Sequence, residues 1–153
     1  MTTLNIFQKD VSDNVIARIN QLNASSAAQW GKMNVSQMLA HCSVTYEMIY
    51  DSNHTAPNFL LKFILKTFVK GGLVDATTPY KRNSGTAPAF IIKGDRDFDV
   101  EKKRLVDFIA KTQQLGEHHF DGKASLSFGN LSKTEWSNLF YKHLDHHLIQ
   151  FGV

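Results

Sequence analysis

The sequence predicts an all-α fold, and three observations carry that prediction. Apolar residues recur at helical spacing over five stretches, no stretch shows a sustained strand-like alternation, and several helical stretches open on capping residues or close on glycine. The chain has 153 residues, 42% hydrophobic and 11% aromatic, which suits one globular domain spanning 1–153 with a real core. A second domain has no room.

The first helix is expected from about Asn5 to Leu22, where Ile6, Phe7, Val15, Ile16, Ile19 and Leu22 form an apolar stripe. The second opens on Asn34, with Gln37 placed to complete a capping box. It should run to about Asp51 with Met38, His41, Cys42, Thr45, Met48 and Ile49 inward. A third segment, 57–70, begins at Pro57 and should stop at Gly71 and Gly72. Its Lys62, Lys66 and Lys70 form one row on an otherwise apolar cylinder, so burial of the rest is the simplest expectation.

Residues 71–96 form a connection too long for an ordinary loop, which reads as a lid or a crossover. The fourth helix fits Asp97 to Leu115, with Phe98, Leu105, Phe108 and Ile109 inward and Gly116 as its stop. The fifth has the clearest start. Ser132 and Glu135 match a capping box, and Leu131 and Trp136 stand where a hydrophobic staple would place them. On this helix Trp136, Phe140, His143 and His147 share one face.

Composition narrows the function classes. Seventeen Lys and Arg against fourteen Asp and Glu give a net charge of +3, with the positive residues scattered, which argues against nucleic acid as the main partner. No apolar run reaches the roughly 18 residues of a membrane span. The single Cys42 cannot form an internal disulfide, and "MTTLNIFQKD" lacks the pattern of a secretory signal, so a cytoplasmic location is the expectation.

Three of the seven histidines fall within "HLDHH" near the end of the sequence. His143 and His147, four apart on a helix, can direct their rings at one ion; His143 with His146 is the alternative pair. Spacing alone decides little, because chance pairs are common in a chain with this many histidines. A face shared with Trp136 and Phe140 looks buried, however, and buried imidazoles need partners.

His41, inward on the second helix, is the best third ligand. It lies roughly 10 Å from the N-terminal end of its helix, and the midpoint of the pair lies roughly 9 Å from the C-terminal end of the last one, so the three meet at one level only if these helices run antiparallel. The other reading is a hydrogen-bonded core histidine beside a helix end that favours positive charge. Gln37 reads as a cap, Thr45 as a neighbour able to orient a ligand, Cys42 as a packed thiol, and Trp30 and Trp136 as core or pocket walls.

The stretches "WGKMNVSQMLAHC" (30–42), "GTAPAF" (85–90), "FGNLSKTEW" (128–136) and "YKHLDHHLIQFG" (141–152) together resemble a domain family of unknown function within the DinB-like, YfiT-like superfamily of metalloenzymes. The resemblance implies a four-helix bundle, up-down-down-up, with segment 57–70 as an extra helix in the crossover between the second and third bundle helices. It also implies a divalent metal on His41, His143 and His147. One departure is that "SLSFG" carries Ser125 and Leu126 where relatives carry His-Pro, which leaves His118 and His119 as substitutes or as surface residues.

Three imidazoles suit Zn²⁺, Ni²⁺ or Fe²⁺ and leave a position open for a small-molecule substrate. The superfamily's enzymes imply transfer of a low-molecular-weight thiol to an electrophile, or hydrolysis. Lys81 and Arg82 in the long connection read either as holding an acidic group of such a cosubstrate or, more simply, as a solvated loop pair. Two other function classes stay open: a protein that binds metal or a hydrophobic ligand without turnover, and one that dimerises or lies on a membrane surface through segment 57–70.

Overall fold

The computed structural model describes residues 4–153 and is mostly helical, with little strand. Helix α1 spans Lys9–Gln21. It begins later than expected because the Asn5 side chain accepts from the Phe7 backbone N–H (3.1 Å) and Gln8 N–H closes a turn on the Asn5 carbonyl (3.0 Å). Ile6 and Phe7 enter the core from that turn, so the apolar stripe is right and the helix boundary is not.

Helix α2 (Val35–Tyr50) carries the expected capping box between Asn34 and Gln37. Nearly every residue from Val35 to Tyr46 is buried, because α2 is packed on several sides rather than on one stripe. Helix α5 (Phe98–Phe120) is capped by Asp97 and breaks helical geometry at Gly116, where φ is 74°. The expected stop is therefore a kink, after which the chain makes one more turn and buries Phe120. A two-stranded antiparallel pair, β1 (Ala124–Ser125) and β2 (Gly129–Asn130), leads into α6 (Lys133–Gln150), which has the expected Ser132 and Glu135 capping box.

Segment 57–70 departs from expectation in two ways. Helix α3 (Phe59–Ile64) passes through a π-helical turn at Leu65–Val69 into α4 (Lys70–Val74), so the helix runs through Gly71 and Gly72 instead of stopping there. Its last carbonyls are capped from α6. The buried Lys142 ammonium donates to the carbonyls of Gly72 (3.0 Å) and Asp75 (2.6 Å), and Asn138 Nδ2 donates to that of Val74 (2.8 Å). These bonds hold in place carbonyls that two glycines would leave frayed.

The second departure concerns burial. Phe59 is 87% exposed, Phe68 76% and Leu60 65%, whereas burial of everything but the lysine row was expected. Lys70 turns toward the rest of the protein and pairs with Glu135 (2.7 Å), and the stem of the exposed Lys66 lies beside Gly129. The apolar side of the segment faces outward.

Cross-element contacts fix the helix directions. Ile6 N–H donates to Ser137 Oγ near the start of α6, and Arg18 pairs with Asp145 near its end (2.8 Å), so α1 and α6 run parallel. On α2, Tyr46 stacks on Phe140 while His41 meets His147, so α2 and α6 run antiparallel. Tyr46 also stacks on Phe108, and Tyr50 bonds Thr112, so α2 and α5 run parallel. Phe7, Tyr46, Phe120, Trp136 and Phe140 form one aromatic core at ring separations of 5.0 to 6.3 Å.

Tyr46 contributes its ring to this core, yet its buried hydroxyl has no hydrogen-bond partner among the described residues. An unsatisfied hydroxyl there costs about 1–3 kcal/mol. Tyr46→Phe is therefore expected to be neutral or stabilising in urea unfolding, whereas Phe140→Ala should lower stability by about 3–5 kcal/mol. A marked loss on Tyr46→Phe would mean that the hydroxyl is satisfied after all.

Candidate metal centre

The antiparallel run of α2 and α6 brings His41 level with His143 and His147. Ring centroids lie 4.9 Å apart for His41 and His143, 4.6 Å for His41 and His147, and 4.9 Å for His143 and His147, a nearly equilateral triangle. One nitrogen from each lies within 4.8 Å of the other two, so the three are positioned to hold a metal ion. The antiparallel arrangement on which the depth argument depended is present.

The other nitrogens are engaged outward. His41 Nδ1 stands 2.8 Å from the Phe90 carbonyl, His143 Nδ1 3.0 Å from Thr45 Oγ1, and His147 Nδ1 2.7 Å from Gln150 Oε1. A carbonyl can only accept, so His41 Nδ1 carries its proton and leaves Nε2 as a bare lone pair. The Gln150 amide nitrogen donates to the Trp30 carbonyl (2.6 Å), which turns Oε1 to His147 and fixes the same tautomer there.

His143 decides what the centre can hold. Its Nε2 faces His41 Nε2 at 3.0 Å. If Thr45 accepts from His143 Nδ1, two lone pairs point at each other, an arrangement that a cation between them resolves. If the Thr45 hydroxyl turns to donate, His143 Nε2–H donates to His41 instead. Nitrogens sharing one tetrahedral zinc stand roughly 3.3 Å apart, so this donor set fits the ion with small adjustments.

The remaining candidates are placed as follows. His146 turns away from the trio, its ring against Trp30 and Tyr80 at 5.8 Å each, so the alternative pair with His143 is not formed. His118 and His119 are exposed and lie outside the cluster, and Ser125 holds the β1–β2 turn through bonds to Gly129 and Phe128. Burial pushes the Cys42 thiol well up, which suits packing against Met38 and not nucleophilic chemistry. Gln37 serves the helix cap and also donates to the Gly94 carbonyl (3.1 Å).

The connection 75–97 reaches the centre through Phe90. Its 3₁₀ turn, Pro88–Phe90, sets the Phe90 ring against His41 and His143. Arg82 lies over Trp30 at 4.0 Å and lines a cleft beside His146; Lys81 is exposed and is not part of that lining. Sequence reasoning missed Phe90, whose contribution is a backbone carbonyl, and Gln150, whose spacing of three from His147 was a usable signal.

A family model described as "Protein of unknown function (DUF1569)" matches residues 2–152. No curated protein and no solved structure matches the chain.

Burial is the largest cause of a lowered pKa in all three histidines. For His41 the Phe90 bond offsets it in part; for His143, lowered well below the ordinary value, the neighbouring histidines add to it; His147 is lowered to about 3. The unfolded chain takes up these protons near pH 6.5 and the folded one resists, so stability is full above that pH and falls from there toward pH 3. Metal-free protein should lose about 2 kcal/mol through His147 alone between about pH 7.5 and pH 5, read by urea unfolding, and a His143→Ala, His147→Ala variant should lose less. Equal loss in both proteins would contradict a buried neutral trio.

Proposed function

The chain belongs to the DUF1569 family of proteins of unknown function, and we propose from the chemistry of its site that it is a metal-dependent enzyme using His41, His143 and His147 as ligands. One observation carries this reading: three imidazoles converge through one nitrogen each while every opposite nitrogen is engaged by an oxygen acceptor or hydroxyl. Outer bonds of this kind orient metal-binding histidines and raise their basicity. Three protein ligands also leave a coordination position open, as in catalytic rather than closed structural sites.

The DinB-like resemblance of the sequence agrees with this reading. The pairwise helix directions support taking α1, α2, α5 and α6 as an up-down-down-up bundle in one domain, with α3 and α4 in the crossover. A Zn²⁺, Ni²⁺ or Fe²⁺ ion held there would acidify a water or small thiol, supplying a nucleophile near neutral pH for thiol transfer to an electrophile or for hydrolysis. The chain's own residues do the rest. Phe90, Thr45 and Gln150 hold the imidazoles in register, and the Phe90 turn limits access of water to His41 and His143.

A second reading has its own observation. The outward Phe59, Leu60, Phe63 and Phe68 of the crossover helix favour an interaction surface, for a second copy of the chain or a membrane. No helix among the described residues is long and apolar enough to cross a membrane. Should α3 be such a surface, wild-type protein will dimerise in light scattering or float with liposomes, and Phe59→Ser, Phe68→Ser will do neither. A monomer that ignores liposomes removes this reading.

For the metal reading, protein purified without a histidine tag should carry about one divalent metal per chain. The folded His143→Ala, His147→Ala variant should carry none. Gln150→Ala and Thr45→Val should each weaken metal affinity by about 10–100-fold. Wild-type protein that stays empty after incubation with Zn²⁺, Ni²⁺ and Fe²⁺ would contradict the proposal.

A further inference from the structure

A cleft of about 260 Å³ opens beside the histidine trio, lined by Trp30, Tyr80, Arg82, Lys142, Asp145 and His146 among others. That volume lies below the range of drug-sized pockets, so its ligand is small. Its walls are flat: the His146 ring meets those of Trp30 and Tyr80 at 5.8 Å each, and the Lys142 ammonium stands over the Tyr80 ring at 4.8 Å.

The charges around the cleft leave one cation over. Asp145 is paired with Arg18 (2.8 Å), and Arg18 also donates to a main-chain oxygen of Val153. Lys142 is held by two neutral carbonyls, with the Asp75 carboxylate acting on it from nearby and bound in turn by Thr77 and Thr78. Arg82 has no carboxylate partner among the described residues and rests on the Trp30 ring. Among the charged residues that line the cleft, the exposed Arg82 is the cation with no carboxylate against it.

We propose that this cleft binds a small organic monocarboxylate, its acid group on the Arg82 guanidinium and its apolar body among the rings of Trp30, Tyr80 and His146. A guanidinium presents two parallel N–H groups that match a carboxylate fork. A dianion such as a phosphate ester fits less well. One unpaired guanidinium does not match two negative charges, and the cleft runs along the last turns of α6, the end where the helix dipole is negative. The acid-holding role expected of Lys81 and Arg82 thus narrows to Arg82.

The cleft is one ring away from the metal centre, since His146 lies 5.0 Å from His147. The inference deepens the metal-enzyme reading by naming a class of substrate. It rests on that reading for what the binding serves, not for the binding itself.

The test uses the full chain, metal-free, with benzoate as the probe and the two tryptophan indole N–H signals in ¹H–¹⁵N NMR as the readout. Benzoate should shift the Trp30 signal and leave that of the core residue Trp136 in place. Benzamide and phenyl phosphate should bind more weakly. Arg82→Gln should weaken benzoate binding about tenfold with the unfolding midpoint unchanged. Equal affinity for benzamide, a preference for phenyl phosphate, no Trp30 shift at millimolar benzoate, or unchanged affinity in Arg82→Gln would each overturn the proposal.

The two readings can fail separately. Benzoate binding that persists in the His143→Ala, His147→Ala variant stands whether or not the wild type takes up metal. A wild type that loads metal but ignores benzoate loses only the cleft.

Discussion

Three neutral imidazoles brought together away from water present six ring nitrogens that must be accounted for, and the rest of the structure depends on how this is done. Leaving even one buried polar atom unmatched costs about 1–3 kcal/mol. The hydrogen-bond partners come from separate parts of the chain: the Phe90 carbonyl from the long connection, Thr45 from α2, and Gln150 from the last turn of α6. Gln150 in turn ties the Trp30 loop to the same end, through its side chain (2.6 Å) and through its carbonyl, which accepts from Gln29 N–H (2.8 Å). A single requirement, satisfied Nδ1 atoms, thereby draws α2, α6 and two loops into one arrangement, and all three Nε2 atoms are left facing inward.

Much of this was legible because local rules and packing agree. The capping boxes at Asn34 and Ser132 form as the spacing predicts, and each helix then presents its histidines on the buried side. Within the trio, His41 and His147 are each less than a tenth exposed. Depth along two antiparallel helices was enough to bring His41 level with the pair. Phe90 was not legible, since a backbone carbonyl in a long connection has no side-chain signature. Gln150 was overlooked although HxxQ spacing places it one turn from His147.

The failures have a common physical origin. Gly71 and Gly72 were read as a stop, but Lys142 and Asn138, remote in sequence, cap the helix beyond them. The apolar composition of segment 57–70 predicts its burial, but Lys70 finds a partner on the body of the protein, where Glu135 draws it inward. A hydropathy pattern does not say which face has the better partner. Asn5 shortened the first helix in the same way, by offering the backbone a local alternative.

Lys142 links these regions. It fastens the end of α4 to α6, stands over Tyr80, and forms part of the cleft beside His146. The central claim nevertheless concerns the three histidines, and X-ray absorption spectroscopy on zinc-loaded protein tests it most directly. The account predicts a first shell of three imidazole nitrogens at about 2.0–2.1 Å and one oxygen from water, with the imidazole scattering lost in the His143→Ala, His147→Ala variant. A shell dominated by carboxylate oxygens, or one unchanged in that variant, would contradict it.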